Sequence, residues 1–171
     1  PGAFTEAIIN DMWDSCPRPI VLALSNPTSK VEVTPGEVIR WTRGAAVVGT
    51  GSPFAPVEYD GQTFRIGQGN NVFIFPGVGL GATSVQARWL PDVAFSAAAD
   101  ALFGFTGAST RPGDAIYPPL GKLREISHAV AIAVGRALVK EGAAPEMSDA
   151  DIERRVTANI WSPDYLPYRP A

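Results

Sequence analysis

Pro19-Ile20-Val21-Leu22-Ala23-Leu24-Ser25-Asn26-Pro27 carries the architecture of this chain. Residues 20–24 form a short continuous apolar run between a proline and a polar turn, the form expected of a strand covered on both faces in a parallel sheet. Upstream, Thr5 can cap a short helix in which Ile8, Ile9, Met12 and Trp13 recur at helical spacing, and that helix should end before Pro17. Downstream, Thr34-Pro35-Gly36-Glu37 reads as a capping box with proline at the first helical position, and Val38, Ile39 and Trp41 supply the apolar stripe up to Gly44. A second buried strand is expected over residues 45–50. Helix, strand, helix, strand with short links is the repeat of a doubly wound α/β sheet.

After Thr50 the rhythm breaks. Residues 51–69 hold Pro53, Pro56, Gly61 and Gly67 with few apolar residues to bury, which predicts an ordered loop with a small hairpin around Asp60-Gly61. Gly67-Gln68-Gly69-Asn70-Asn71 then leads into an apolar run whose Pro76 suits a first helical turn, so the two amides should stand at the mouth of a helix, helped by its dipole. That helix is expected over residues 72–89 despite Gly77, Gly79 and Gly81, each costing about 1 kcal/mol relative to alanine, which implies close packing on that face. Asp92 caps a helix to about Phe103 with Phe95, Ala98, Ala99 and Leu102 inward. Residues 106–119 read as loop. Residues 123–141 make the longest helix, with Ile126, Val130, Val134 and Leu138 on one face and Gly142 as its stop. Ser148 caps a last helix to about Ile160, and the tail from Ser162 is proline-rich and extended.

Composition narrows the function classes. With 46% hydrophobic and 18% charged residues the chain can build an ordinary core. A formal charge of −3, a pI near 5.1 and scattered basic residues give no electrostatic reason to expect nucleic acid or an anionic membrane as partner. The single cysteine, Cys16, rules out an internal disulfide and a cysteine-built metal site, and it reads as a semi-buried apolar residue. No apolar run is long enough to cross a membrane. Arginines outnumber lysines, which points to a GC-rich bacterial source, and the expected location is cytoplasmic.

Reactive groups are sparse. Gly77-Val78-Gly79-Leu80-Gly81 has the wrong glycine spacing for a dinucleotide fingerprint and reads as helix packing. Asp149, Asp151 and Glu153 fall at a helix start, where carboxylates complement the dipole and face water, and Asp11 with Asp14 make another solvated face. His128, the only histidine, has no evident nucleophile or carboxylate partner, and Lys30, Lys122 and Lys140 carry no signature of a base. No catalytic residue and no metal ligand is therefore assigned. What remains is a set of neutral amides. Asn26 directly follows a buried strand and should sit at the carboxyl edge of the sheet, where open α/β sheets bind ligands, although Ser-Asn-Pro is also an ordinary turn.

The segments Pro19 to Ser29, Gly51-Ser52-Pro53-Phe54-Ala55-Pro56-Val57, Gly67 to Gly77 and Tyr117-Pro118-Pro119-Leu120, in this order and with these gaps, closely resemble the C-terminal part of malic enzymes. The resemblance runs from Gly2-Ala3-Phe4-Thr5-Glu6 to Asp164-Tyr165. It implies oxidative decarboxylation of malate to pyruvate and CO2 with reduction of NAD or NADP, and dependence on Mg2+ or Mn2+. By the same resemblance Asn26 contacts the nicotinamide end of the cofactor and the substrate, Asn71 hydrogen-bonds malate, and Asn70 is its neighbour at both sites. Gly51 and Ser52 match a segment lining the cofactor crevice. Two places depart from the family pattern: Gly49-Thr50 ahead of the Gly-Ser-Pro-Phe segment, and residues 107–114.

The resemblance divides the chain into residues 1–70, the second half of a Rossmann-like NAD(P)-binding domain, residues 71–142, helices returning to the substrate domain, and residues 143–171, a terminal extension. Because Pro1 matches a position well inside the family's polypeptide, a fragment is expected, with fingerprint, metal carboxylates and base lysine upstream. The parent family implies a homo-oligomer, dimer or tetramer. Two other readings stand beside this one. The piece could persist as a noncatalytic folded or oligomerising unit, because a sheet cut in half exposes edges. An amino-acid dehydrogenase of similar layout is disfavoured by the spacing of Asn26 and Asn70-Asn71.

Overall fold

A computed structural model describes residues 1–106 and 113–163. Part of the expected loop at 106–119 and most of the tail from Ser162 lie outside the described residues, as does most of the departure at 107–114. Within the rest, α1 (Glu6–Ser15), β1 (Ile20–Ala23), α2 (Pro35–Trp41) and β2 (Val47–Thr50) follow the anticipated order. Thr5 caps α1 by accepting from the Ile8 N–H, and Thr34 with Glu37 closes both halves of a capping box on α2. Arg43 and Gly44 then take positive φ, which turns the chain out of the helix and into β2.

The loop after β2 contains an antiparallel hairpin, β3 (Val57–Tyr59) with β4 (Gln62–Phe64), and its two turn residues Asp60 and Gly61 both have positive φ. That is the backbone of a two-residue primed turn. The hairpin leads to an element the sequence did not announce: β5 (Gly67–Gln68), which pairs parallel to β2. The sheet order is β1-β2-β5, all parallel. Two residues, one of them a glycine and the pair followed by another, carry no strand periodicity, so β5 exists only because β2 offers it a ladder.

Chain contacts divide the molecule into two compact units, residues 1–73 with 102–124, and residues 74–101 with those from 125 onward. In the first, Val21 and Ala23 of β1, Val48 of β2, Ile9 of α1 and Val38 and Ile39 of α2 share one core with Val31, Val33 and Phe64. Each fully buried aliphatic side chain of this kind contributes about 1.5–3 kcal/mol. Both helices therefore lie on one face of the sheet. The other face differs from expectation: β1 is not covered on both sides, for Ile20 is 61% and Leu22 39% exposed. Ile116 and Tyr117 approach that face over Gly49 and Gly67.

The second unit is helical: α3 (Phe75–Ser84), most of α4 (Asp92–Phe103), α5 (Leu123–Lys140) from Glu125, and α6 (Asp149–Ala158). α3 is shorter than predicted at both ends. It opens four residues after Asn71 and stops before Gln86, whose positive φ ends a helix. Its glycines behave as packing residues: a Cβ on Gly77 would lie 2.6 Å from Val130 and one on Gly81 2.5 Å from the Ala131 carbonyl, whereas Gly79 faces open space. α5 buries Ile126, Val130, Val134 and Leu138 and ends at Gly142, as its pattern requires. On α4 the inward stripe is Ala94 and Ala98; Phe95 is exposed, as is Ala99, because small residues and not the aromatic face the interior.

Candidate functional site

Registers across the sheet bring the strand ends to one level. Ala23 of β1 pairs with Thr50 of β2, and Thr50 pairs with Gln68 of β5. The ladder continues one step further, the Gly51 N–H donating to the Ala23 carbonyl at 3.0 Å and the Gly69 N–H to the Thr50 carbonyl at 2.7 Å. Three chain exits thus leave the same carboxyl edge: Ser25-Asn26, Gly51-Ser52 and Gly69-Asn70-Asn71. Leu24 joins them, since a Cβ on Gly51 would lie 2.0 Å from the Leu24 carbonyl oxygen and one on Gly69 3.0 Å from the Leu24 side chain. Neighbouring strands lie about 4.8 Å apart, so the outer two exits start roughly 10 Å from each other.

Each exit is held differently. The Asn26–Pro27 peptide is cis. The Ser52 hydroxyl donates to the Asn26 side-chain oxygen, Ser52 itself is buried, and its carbonyl accepts from the Thr50 hydroxyl at 2.8 Å. Glu32 accepts from both the Ser25 N–H, at 3.3 Å, and the Ser25 hydroxyl. The hydroxyl of Ser25 and the backbone N–H groups of Glu32 and Ser25 hold the Glu32 carboxyl below its ordinary value. At the third exit the Asn70 side-chain oxygen accepts from the Val72 N–H at 2.9 Å, a turn closed by its own residues. A 3-10 turn, Asn71–Phe73, follows; Phe73 is buried and its ring stacks on Tyr117 with centroids 6.4 Å apart. Asn70 and Asn71 are therefore not the caps of α3, whose N-terminal flanking residue is Ile74, with no side-chain cap.

All five residues singled out in the sequence, Asn26, Gly51, Ser52, Asn70 and Asn71, lie on this edge. Asn26, Asn70 and Asn71 are exposed, while Gly51 and Ser52 are buried beneath. Sequence reasoning passed over Glu32 and Gln68. The signal for Glu32 was available as a carboxylate between two valines, both buried; Gln68 donates to the Gly51 carbonyl at 3.0 Å, which only the sheet register reveals. A cleft of about 590 Å3 opens nearby, lined by Pro53, Phe54, Ile66, Gln68 and Tyr117 among others. None of the three asparagines lines it, so the amide edge and not this cleft is the candidate site.

The remaining polar groups settle elsewhere. Asp149 and Glu153 both pair with Arg136, at 3.1 and 2.6 Å, and Asp151 pairs with Ser148 and Arg154, so these acids are engaged and not simply solvated. His128 meets the Thr157 hydroxyl at 3.1 Å. Cys16 is exposed, not semi-buried, because α1 ends at Ser15 and Cys16 flanks it in extended backbone. Among the described residues no group of three or more His, Cys, Asp or Glu side chains could hold a metal ion, so the donor set described does not fit Mg2+ or Mn2+. No helix among them is long and apolar enough to cross a membrane.

Comparison with known proteins places the chain. Residues 1–139 match the family model described as the malic enzyme NAD-binding domain. An NAD-dependent malic enzyme of Pseudomonas syringae pv. tomato is 45% identical over 98% of this chain, and one of Sodalis glossinidius 44% identical over 99%. The chain spans about 30% of the length of these curated relatives. Among solved structures, the malic enzyme of Entamoeba histolytica superposes with a TM-score of 0.72 at 27% identity, over 92% of this chain and 29% of that one. That of Pyrococcus horikoshii gives 0.68 at 26% identity, over 92% and 32%. With the family model matched over most of its length, the chain belongs to the malic enzyme family, matching its NAD-binding domain.

Proposed function

We propose that this chain supplies the amide wall of a malic enzyme active site, where (S)-malate is oxidised and decarboxylated to pyruvate and CO2 with reduction of NAD. The observation that carries the reading is the alignment of three strand exits, which sets Asn26 and Asn70-Asn71 on either side of Gly51-Ser52. A separation of roughly 10 Å between outer exits suits a small dicarboxylate with a hydrogen bond at each end. Asn26 and Asn70 have committed their oxygens to Ser52 and to Val72, so they offer N–H donors, the right partners for a carboxylate or a carboxamide oxygen. Asn71 makes no side-chain hydrogen bond among the described residues and can both donate to a carboxylate and accept from the malate hydroxyl.

NAD, favoured over NADP by the names of the relatives, supplies the hydride acceptor when bound. Asn26 and Asn70 are the residues of this chain that would meet its nicotinamide end, with Gly51 and Ser52 completing the cofactor site from beneath as the buried support of Asn26. Their contribution is orientation: a neutral amide keeps its charge state through the reaction and fixes the substrate in an attacking pose. The metal, the general base and the adenosine-binding residues are assigned to the rest of the enzyme, which functions as a homo-oligomer in the cytoplasm of a bacterium. In the full-length enzyme Asn71→Ala should lower kcat/KM for malate roughly 30- to 100-fold, within the worth of a hydrogen bond to a charged group, with unchanged thermal unfolding. Unchanged kinetics would remove the site. The isolated chain should show no malate-dependent reduction of NAD.

A second reading has an observation of its own. β1 has no neighbour on its outer side among the described residues, and Ile20, Leu22 and Leu24 are exposed along it, so the isolated polypeptide should self-associate through that edge. Monodisperse monomer in sedimentation at micromolar concentration would dispose of this.

A further inference from the structure

We infer that Ser52 and Glu32 are positioning residues that determine which atoms of Asn26 a ligand meets, a role resting on the reading of Asn26 as a ligand-binding amide. An asparagine amide turns about its last torsion with roughly two-fold preference, so the oxygen and the NH2 group can exchange places at little cost. An incoming carboxylate is attracted by one arrangement and repelled by the other. The structure removes that freedom from two directions.

Ser52 acts on the side chain. It is only 4% exposed, so its hydroxyl has no ready alternative in solvent, and the Asn26 oxygen is the acceptor it finds. Ser52 is itself held from the strand, its carbonyl accepting from the buried Thr50 hydroxyl at 2.8 Å. With its oxygen turned to Ser52, Asn26 directs its NH2 donors outward. Glu32 acts on the backbone. Its neighbours Val31 and Val33 are buried in the core, its carbonyl accepts from the Phe4 N–H at 3.2 Å, and its carboxylate reaches back seven residues to take both polar hydrogens of Ser25. The residue preceding Asn26 is thereby tied to the core. Asn71, with no such side-chain partner among the described residues, remains able to turn either way. One amide is set to read an oxygen and the other can adapt to a hydroxyl.

Ser52→Ala, Glu32→Gln, Asn26→Ala and the two doubles with Asn26→Ala, made in the full-length enzyme, test this. Ser52→Ala should lower kcat/KM for malate about fivefold to tenfold and Glu32→Gln about twofold to threefold, the range of one hydrogen bond lost indirectly. Neither should lower it further once Asn26 is alanine, because each acts only through that amide. A Ser52 or Glu32 effect that persists undiminished in the Asn26→Ala background overturns the inference, as does wild-type behaviour of Ser52→Ala when Asn26→Ala is impaired. If Asn26→Ala itself is fully active, the binding role of Asn26 falls and this inference falls with it. Thermal unfolding is followed for each variant; should Ser52→Ala not fold, the half-buried Glu32→Gln carries the same cycle.

Discussion

The turn after β1 and the turn after β5 each end in an asparagine amide at the same sheet edge, yet they are held in opposite ways. Asn26 is secured by Ser52, 26 residues on, and its neighbour Ser25 by Glu32. Asn70 is secured by the N–H of Val72, two residues away. A local turn forms as soon as its own residues do, whereas a turn fixed across the sheet exists only when β1 and β2 are already paired. The first kind of order survives damage elsewhere; the second depends on the fold.

Gly51 is where that dependence is sharpest, and its substitution should give the largest effect. A Cβ there would lie 2.0 Å from the Leu24 carbonyl oxygen, an overlap with backbone that no rotamer relieves. Gly51→Ala must push the β1 and β2 exits apart, lose the Ser52 contact to Asn26, and cost at least about 3 kcal/mol, near the upper end for a single substitution. Urea unfolding measures it. A variant as stable as the parent would mean that the two exits are not in contact, and the contrast between the two turns would collapse.

A smaller change separates the local turn. Asn70→Ala removes one hydrogen bond at 2.9 Å and should cost about 1 kcal/mol, leaving β1 and β2 untouched. Asn70→Asp keeps the acceptor for the Val72 N–H and should recover the unfolding midpoint, while its negative charge raises KM for malate. If Asn70→Asp unfolds like Asn70→Ala, the turn is not closed by that oxygen.

What could be read from the sequence follows the same division. The Thr34-Glu37 capping box, the Asp60-Gly61 turn, the Gly142 stop and the Ser148 cap were all legible, because each is completed within a few residues by chemistry intrinsic to them. The alternation of helix and strand up to residue 50 was legible from caps and apolar run lengths. By contrast β5 was invisible, since its two residues borrow their structure from β2. The bare face of β1 was also missed: a run such as Ile20 to Leu24 says that burial is available, not which neighbours supply it. The inward face of α4 was misjudged for a related reason, apolar residues surrounding that helix on more than one side so that periodicity could not choose Ala94 over Phe95. The asparagines were found through family resemblance, but their wiring through Ser52 and Glu32 was not, for no local pattern links positions 26 and 52.

Acid should loosen the cross-sheet turn before the local one, and this is the smallest effect expected. Glu32 is held below its ordinary value of 4.5, chiefly by the Ser25 hydroxyl and then by its own N–H, so folding favours the ionised form. The unfolded chain binds the proton first as pH falls. The stability contributed by Glu32 is therefore complete above about 4.5 and drains away as pH drops through the lower folded value. Asn70 has no titratable group in its turn and should show no such dependence. Measured as the difference in unfolding midpoint between the parent and Glu32→Gln, the gap should be constant from neutral pH to about pH 5 and should narrow below 4.5, whereas the gap between the parent and Asn70→Ala should stay level. Two parallel lines across that range would show that the Glu32 carboxylate does not hold Ser25, and the cross-sheet turn would have to be anchored by Ser52 alone.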